Sequence, residues 1–127
     1  APEPLHPDPV LVEAAAGLSG ESGARMTITS DRDKGLSGVD VVYTDVWVSM
    51  GEEAKATERL ELLDPYRVDA KLMEDTGNRE CLFMHCLPAV RGQEVADEVI
   101  DGGRSVVWDQ AENRKHTIKA LMAATLL

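Results

Sequence analysis

Several things are scarce in this chain, and each scarcity removes a class of function. No apolar run approaches the roughly 20 residues that span a bilayer, and no basic-then-apolar segment opens the sequence. A soluble, cytoplasmic protein is the expectation. Basic residues are few: 13 Lys and Arg stand against 23 Asp and Glu, a formal charge of -10. That balance repels phosphate backbones, so neither nucleic acid nor an anionic membrane is expected as a partner. Cysteine occurs only at Cys81 and Cys86, too few for a disulfide framework, and reduced thiols are expected. Neither Gly-x-Gly-x-x-Gly nor a Gly-Lys-Ser/Thr phosphate loop is present, so no nucleotide cofactor is implied. The Gly-x-Ser-x-Gly elbow of serine hydrolases is also missing. Cys86, His85 and His116 are available to a metal, but Cys-x-x-Cys and His-x-x-x-His spacings are not, so no metal centre is expected.

What is present suits one α/β domain. At 127 residues and 43% hydrophobic content, the chain fits a single core. Four prolines among residues 1 to 9 predict an extended entry. A helix follows to about Gly20, capped by Asp8 with Pro9 in its first position and Val10, Leu11, Ala14, Ala15 and Leu18 on its apolar face. Residues 25–29 alternate and are β-branched, predicting a short strand. A helical turn over 30–36 closes at Ser37-Gly38, and a buried strand over 40–44 is apolar on both faces at Val41, Val42 and Tyr43. Helices are predicted over 52–63, ended by Pro65, and over 69–75, then a strand over 81–84, a helix over 94–100 and a strand over 105–107. Asp109 opens the last helix with Glu112 three residues on, and Ile118, Leu121, Met122 and Leu126 form its expected core face. Strands alternating with helices predict a three-layer fold, a central parallel sheet with helices on both faces.

The unusual polar residues fall directly after predicted strands. Asp45-Val46-Trp47-Val48-Ser49-Met50-Gly51 follows the strand 40–44, His85-Cys86-Leu87-Pro88 follows 81–84, and Trp108 to Arg114 follows 105–107. In a parallel sheet these strand ends share one edge, so the three clusters converge on one crevice. Asp45 offers a carboxylate suited to an ammonium group, and Ser49-Met50-Gly51 offers a hydroxyl, backbone N–H groups and a glycine hinge. Together they would hold the ammonium and carboxylate of an amino acid; alternatively Asp45 caps a helix in a solvated loop. Cys86 suits a nucleophile, a metal ligand, an orienting group or an inert buried thiol. His85 has the further option of a hydrogen bond within its own loop. Arg114 would polarise a carbonyl oxygen or grip a phosphate, or else pair with Asp109 or Glu112 at the surface.

Taken together, Asp45-x-Trp47-x-Ser49-Met50-Gly51, His85-Cys86-Leu87-Pro88-Ala89 and Asp109-Gln110-Ala111-Glu112-Asn113-Arg114-x-His116 resemble the second-domain motifs of the ornithine carbamoyltransferase family. The resemblance covers essentially the whole chain, in order. Aspartate-using members of the wider family carry His-Pro-Leu-Pro where this chain has His85-Cys86-Leu87-Pro88. The Ser49-Met50-Gly51 turn points to ornithine rather than to putrescine or an acylated amino acid.

The resemblance implies that residues 1–127 form the ornithine-binding domain of an enzyme that carbamoylates the δ-amine of L-ornithine with carbamoyl phosphate, giving citrulline and phosphate for arginine metabolism. On that basis Asp45 and Ser49 bind the α-ammonium, and the Met50 backbone helps hold the carboxylate on a closing loop. Cys86 sits beside the reacting amine, while the carbonyls of Cys86 and Leu87 receive the carbamoyl amide hydrogens. A cis Leu87-Pro88 peptide is implied, and Arg114 contacts the carbamoyl oxygen. The departure is large. The Ser-x-Arg-Thr-Arg phosphate cradle, the His-Pro-x-Gln segment and a strand bearing an ornithine-binding Asn are not in these residues. The chain, which begins Ala1-Pro2 without Met, is therefore expected to be a fragment, catalytically inactive by itself. Family membership implies a homotrimer held mainly through the first domain, which would leave this chain alone monomeric. The competing expectations are a carbamoyltransferase for another amine and a non-catalytic amino-acid-binding module.

Overall fold

The computed structural model describes residues 1–49 and 51–126, except for the side chain of Glu53. Two compact units divide the chain, Ala1–Gly35 and Leu36–Leu127.

In the first unit, Asp8 accepts the Val10 N–H at 2.8 Å and opens α1, Pro9–Ser22, with Pro9 in the first turn where its missing N–H costs nothing. Gly23 ends the helix at φ 73°, in the left-handed region that glycine enters without a Cβ clash. Val10, Leu11 and Leu18, the expected apolar face, are exposed. Residues 25–29 were expected to form a strand, and they do not. Their β-branched side chains favour an extended chain, but among the described residues no partner strand offers them a ladder, and propensity alone does not make a strand. α2, Arg32–Leu36, follows.

The second unit holds the sheet and the core. β1, Val41–Thr44, pairs in parallel with β2, Leu82–His85, in the register Val41↔Leu82 to Thr44↔His85. Between them run a 3-10 turn Glu53–Lys55, α3 at Ala56–Leu63, a 3-10 turn Asp64–Tyr66, and α4 at Ala70–Asp75. The Asp69 carboxylate caps α4 by accepting the Leu72 N–H at 2.8 Å. The chain then continues through α5, Asp97–Ile100, to α6, Val107–Leu126. Residues 94–96, expected to be helical, are a turn residue and a short extended stretch instead: Val68 bridges Val95 in parallel, donating to the Glu94 carbonyl and accepting from the Ala96 N–H, both at 2.9 Å.

Burial follows the pleat. Val42 and Phe83, paired across the ladder, turn into a core of Val68, Leu72, Met73, Cys81, Val95, Val99, Ile100 and Val107. Each such fully buried apolar side chain contributes on the order of 1.5–3 kcal/mol over leaving it exposed. Val41 and Tyr43 were expected to be buried as well; alternation sends them to the opposite face of β1, where they are 42% and 54% exposed.

The strand expected over 105–107 is reduced to one parallel bridge, Phe83↔Ser105, with the Phe83 N–H on the Arg104 carbonyl and the Val106 N–H on the Phe83 carbonyl. Its β-branched pair was misleading because Val107, fully buried, is already the first residue of α6, and the Val106 carbonyl accepts the Gln110 N–H at 2.9 Å. Asp109 therefore lies inside the first turn rather than opening the helix. The expected core face of α6 is also corrected: Ile118, Leu121, Met122 and Leu126 are all more than half exposed. The expectation of an α/β fold on a parallel sheet holds.

Candidate functional site

The register of the ladder builds the site. Thr44 pairs with His85, so the next residues, Asp45 and Cys86, leave the sheet side by side. The Cys86 thiol donates to Asp45 Oδ1 at 3.0 Å, and the same oxygen accepts the Val46 N–H at 2.7 Å. Cys86 raises its own protonation range by this contact: chiefly the hydrogen bond to Asp45, then desolvation and the neighbouring negative charge, hold the thiol above its usual value. Asp45 moves the other way, lowered mainly by the Cys86 hydrogen bond and further by Val46, against a smaller opposing effect of burial.

Two consequences follow. At neutral pH Cys86 is a protonated thiol, poorly suited to nucleophilic attack. A carboxylate depressed in the folded state adds stability above its unfolded range, lost as pH falls through the folded value, so the Asp45 window lies below 3.8. Asp45→Asn removes the charge that holds the thiol up. It is therefore expected to speed iodoacetamide labelling of Cys86 several-fold at mildly alkaline pH, read by mass spectrometry; Cys81, fully buried, serves as the internal control. An unchanged rate would contradict the coupling.

β2 extends one residue further than expected, and this decides where His85 points. As the last strand residue it shares the inward face with Phe83 and is fully buried, rather than lying in the loop. Its Nδ1 accepts the Leu87 N–H at 2.8 Å, the loop hydrogen bond anticipated for it. Leu87 has φ 55° and is followed by the cis Leu87-Pro88 peptide.

The third element is α6. Gln110 ties it to both strand ends: its Nε2 donates to the Tyr43 hydroxyl at 2.9 Å, and its Oε1 accepts the His85 N–H at 3.2 Å. Residues at helical spacing from Gln110 then share its face. Gln110, Asn113, Arg114, Thr117 and Ile118, with Tyr43, Met84, Cys86 and Leu87, line an open cleft of about 700 Å³. Arg114 lies about two turns into the helix. The anticipated ion pair of Arg114 with Asp109 or Glu112 is not found among the described residues; Glu112 instead faces Lys115 at 3.6 Å and His116 at 3.5 Å.

The structure thus brings Cys86, Leu87 and Arg114 to one cleft and links Asp45 to it through the thiol. Ser49 is exposed, its carbonyl accepting the Glu52 N–H at 3.0 Å, and it is not a wall of that cleft. Met50 lies outside the described residues. Asp45, His85 and Cys86 place one potential ligand atom each within 4.8 Å of one another, which a metal would need in deprotonated form. The raised Cys86 thiol and the engaged His85 Nδ1 oppose that. His116 is held by Glu112 on α6.

Comparison with known proteins identifies the frame. Residues 1–125 match the model described as aspartate/ornithine carbamoyltransferase, Asp/Orn binding domain. The chain belongs to that family. It is 58% identical over 126 residues to an ornithine carbamoyltransferase of Thermotoga petrophila, covering 99% of this chain and 40% of that relative. The solved ornithine carbamoyltransferase of Pyrococcus furiosus superposes with a TM-score of 0.88 at 47% identity, over 96% of this chain and 39% of that one. The anabolic ornithine carbamoyltransferase of Campylobacter jejuni gives 0.90 at 34% identity, over 97% and 40%. The chain therefore has the three-layer α/β fold of the carbamoyltransferase second domain and spans about 40% of the length of these relatives. Among the described residues no helix is long and apolar enough to cross a membrane.

Sequence reasoning missed three groups that shape this carbamoyltransferase domain: Tyr43 and Gln110, which lash α6 to the strand ends, and Glu94, buried behind His85. Gln110 lay inside a quoted motif, and its place directly after a predicted strand was the available signal. Glu94 had none, because burial of a lone Glu in an acidic chain has no local signature.

Proposed function

We propose that the chain is the ornithine-binding half of an ornithine carbamoyltransferase. The neutral δ-amine of L-ornithine attacks the carbonyl carbon of carbamoyl phosphate, a C–N bond forms, the C–O bond to phosphate breaks, and the amine gives up a proton. Citrulline and phosphate result, within cytoplasmic arginine metabolism. Asp45 and Ser49 take the α-ammonium, and the Met50 backbone helps hold the carboxylate. Cys86, a protonated thiol already paired with Asp45, borders the amine as an orienting group rather than a nucleophile. The Cys86 and Leu87 carbonyls accept the carbamoyl N–H groups, and Arg114 stabilises the oxygen as charge gathers on it. Positioning and electrostatics carry the reaction without a covalent enzyme intermediate. A first domain supplies the phosphate cradle and the trimer contacts.

The observation that carries this reading is the meeting of Cys86, Leu87 and Arg114 in one cleft at the strand ends, with Asp45 joined to it through the Cys86 thiol. A module that only bound an amino acid would have no use for the carbamoyl-facing groups. The test is calorimetry on the protein carrying both domains, titrated with ornithine, N-acetylornithine and putrescine, with and without a carbamoyl phosphate analogue. Ornithine is expected to bind in preference, and more tightly with the analogue present; a preference for another amine, or no ornithine binding, overturns the assignment.

A further inference from the structure

Glu94 and His85 are the most deeply buried ionisable side chains near the cleft, both fully enclosed, in a chain of net charge -10. They are not an ordinary stabilising pair. His85 Nε2 lies 3.4 Å from Glu94 Oε1, off the line of a hydrogen bond, and both Nε2 and Glu94 Oε2 are buried without a hydrogen-bond partner among the described residues. Burying polar atoms this way is costly, and apolar residues of similar volume often serve stability as well or better.

What the two residues do hold is backbone. His85 Nδ1 accepts the Leu87 N–H at 2.8 Å, which places the ring proton on Nε2, facing Glu94. Glu94 Oε1 accepts the Val90 N–H. The two bonds fall on either side of Pro88 and Ala89, so they clamp the turn at both ends. Leu87 needs holding, because φ 55° is a conformation that a residue with a Cβ avoids. Both clamps are anchored: His85 by the ladder to Thr44 and by Gln110, Glu94 by its carbonyl on the Val68 N–H.

We propose that His85 and Glu94 are positioning residues that fix the Cys86–Ala89 turn through the Leu87 and Val90 amides, setting where the Cys86 and Leu87 carbonyls point. The proposal rests on the functional reading above and adds two residues to it. Neither touches substrate; they act on the carbamoyl side of the site through the turn.

The test uses the enzyme carrying both domains and compares conservative with disruptive replacements. Glu94→Ala and His85→Gln each remove an acceptor and are expected to lower kcat for citrulline formation by about 10²-fold, the scale of a misplaced reacting group. The ornithine dissociation constant should stay near the wild-type value. Glu94→Gln keeps an oxygen for Val90, and His85→Asn keeps one near the position of Nδ1 for Leu87; both are expected to restore most of kcat. Thermal melts show which variants fold, and the conservative pair keeps the test decisive if the disruptive pair does not. A wild-type kcat in Glu94→Ala overturns the proposal, as does a Glu94→Gln variant that folds but stays as slow as alanine. A wild-type enzyme that forms no citrulline overturns the functional reading and this proposal with it; an active wild type with an equally active Glu94→Ala overturns this proposal alone.

Discussion

Arg114→Ala, in the enzyme carrying both domains, is expected to lower kcat for citrulline formation by about 10²–10³-fold, the usual loss when one donor to a developing oxyanion is removed. The expectation comes from where Arg114 sits. It shares the Gln110 face of α6 and lines the cleft with Cys86 and Leu87, while Glu112 faces Lys115 and His116. Its planar donors therefore face the cleft without a carboxylate already on them among the described residues. Arg114→Lys keeps the charge but not the fork, and should recover only part of the rate. Stability should hardly move in either variant, because the residue is exposed and is not part of the core. Steady-state kinetics separate the outcomes: a fall in kcat with the ornithine KM nearly unchanged supports a role at the carbamoyl oxygen, and a rise in KM alone would move Arg114 to ornithine binding.

The second large effect is at Asp45. Asp45→Ala should weaken ornithine binding by about 10–100-fold, as expected when a charge-assisted hydrogen bond worth roughly 1.5–3 kcal/mol is removed. Asp45→Asn should lose nearly as much, since the ammonium needs the charge and not only the shape. The carboxylate is already held ionised by the Cys86 thiol. Binding that depends on it should survive mild acid and fail only as pH falls through the lowered Asp45 range. Cys86→Ala removes the leading cause of that lowering and should shift the failure to higher pH. Calorimetric titration reads all three variants. Ornithine binding untouched by Asp45→Ala would remove the ammonium site from this position.

The parts of the fold that were legible in the sequence were those decided locally. Asp8 before Pro9 marked the start of α1, the helix expected over 69–75 is α4, and the runs at Val41–Thr44 and Leu82–His85 proved to be the paired strands, the second one residue later than expected. The misread elements were decided by partners far away in sequence. Residues 25–29 lack a ladder among the described residues, and Val106-Val107 reads as a strand until Val107 is seen to bury itself as the first residue of α6. The apolar positions 118, 121, 122 and 126 share a helical face, but periodicity does not say what covers it. At the candidate site, the pairing of Asp45 with Cys86 follows from convergence at the strand ends, so it was foreseeable as a neighbourhood, though the thiol-to-carboxylate bond was not. The inward turn of His85 was less accessible. It depends on β2 reaching one residue further, which keeps His85 in the pleat on the same face as Phe83.

The central claim is that these residues form half of a carbamoyltransferase site. Citrulline formation from ornithine and carbamoyl phosphate tests it directly, measured for the isolated 127-residue chain and for the same domain joined to the first domain of the family. The expected result is no detectable citrulline from the isolated chain and sustained turnover from the joined protein. Measurable citrulline from the isolated chain, or none from a folded joined protein, would contradict it.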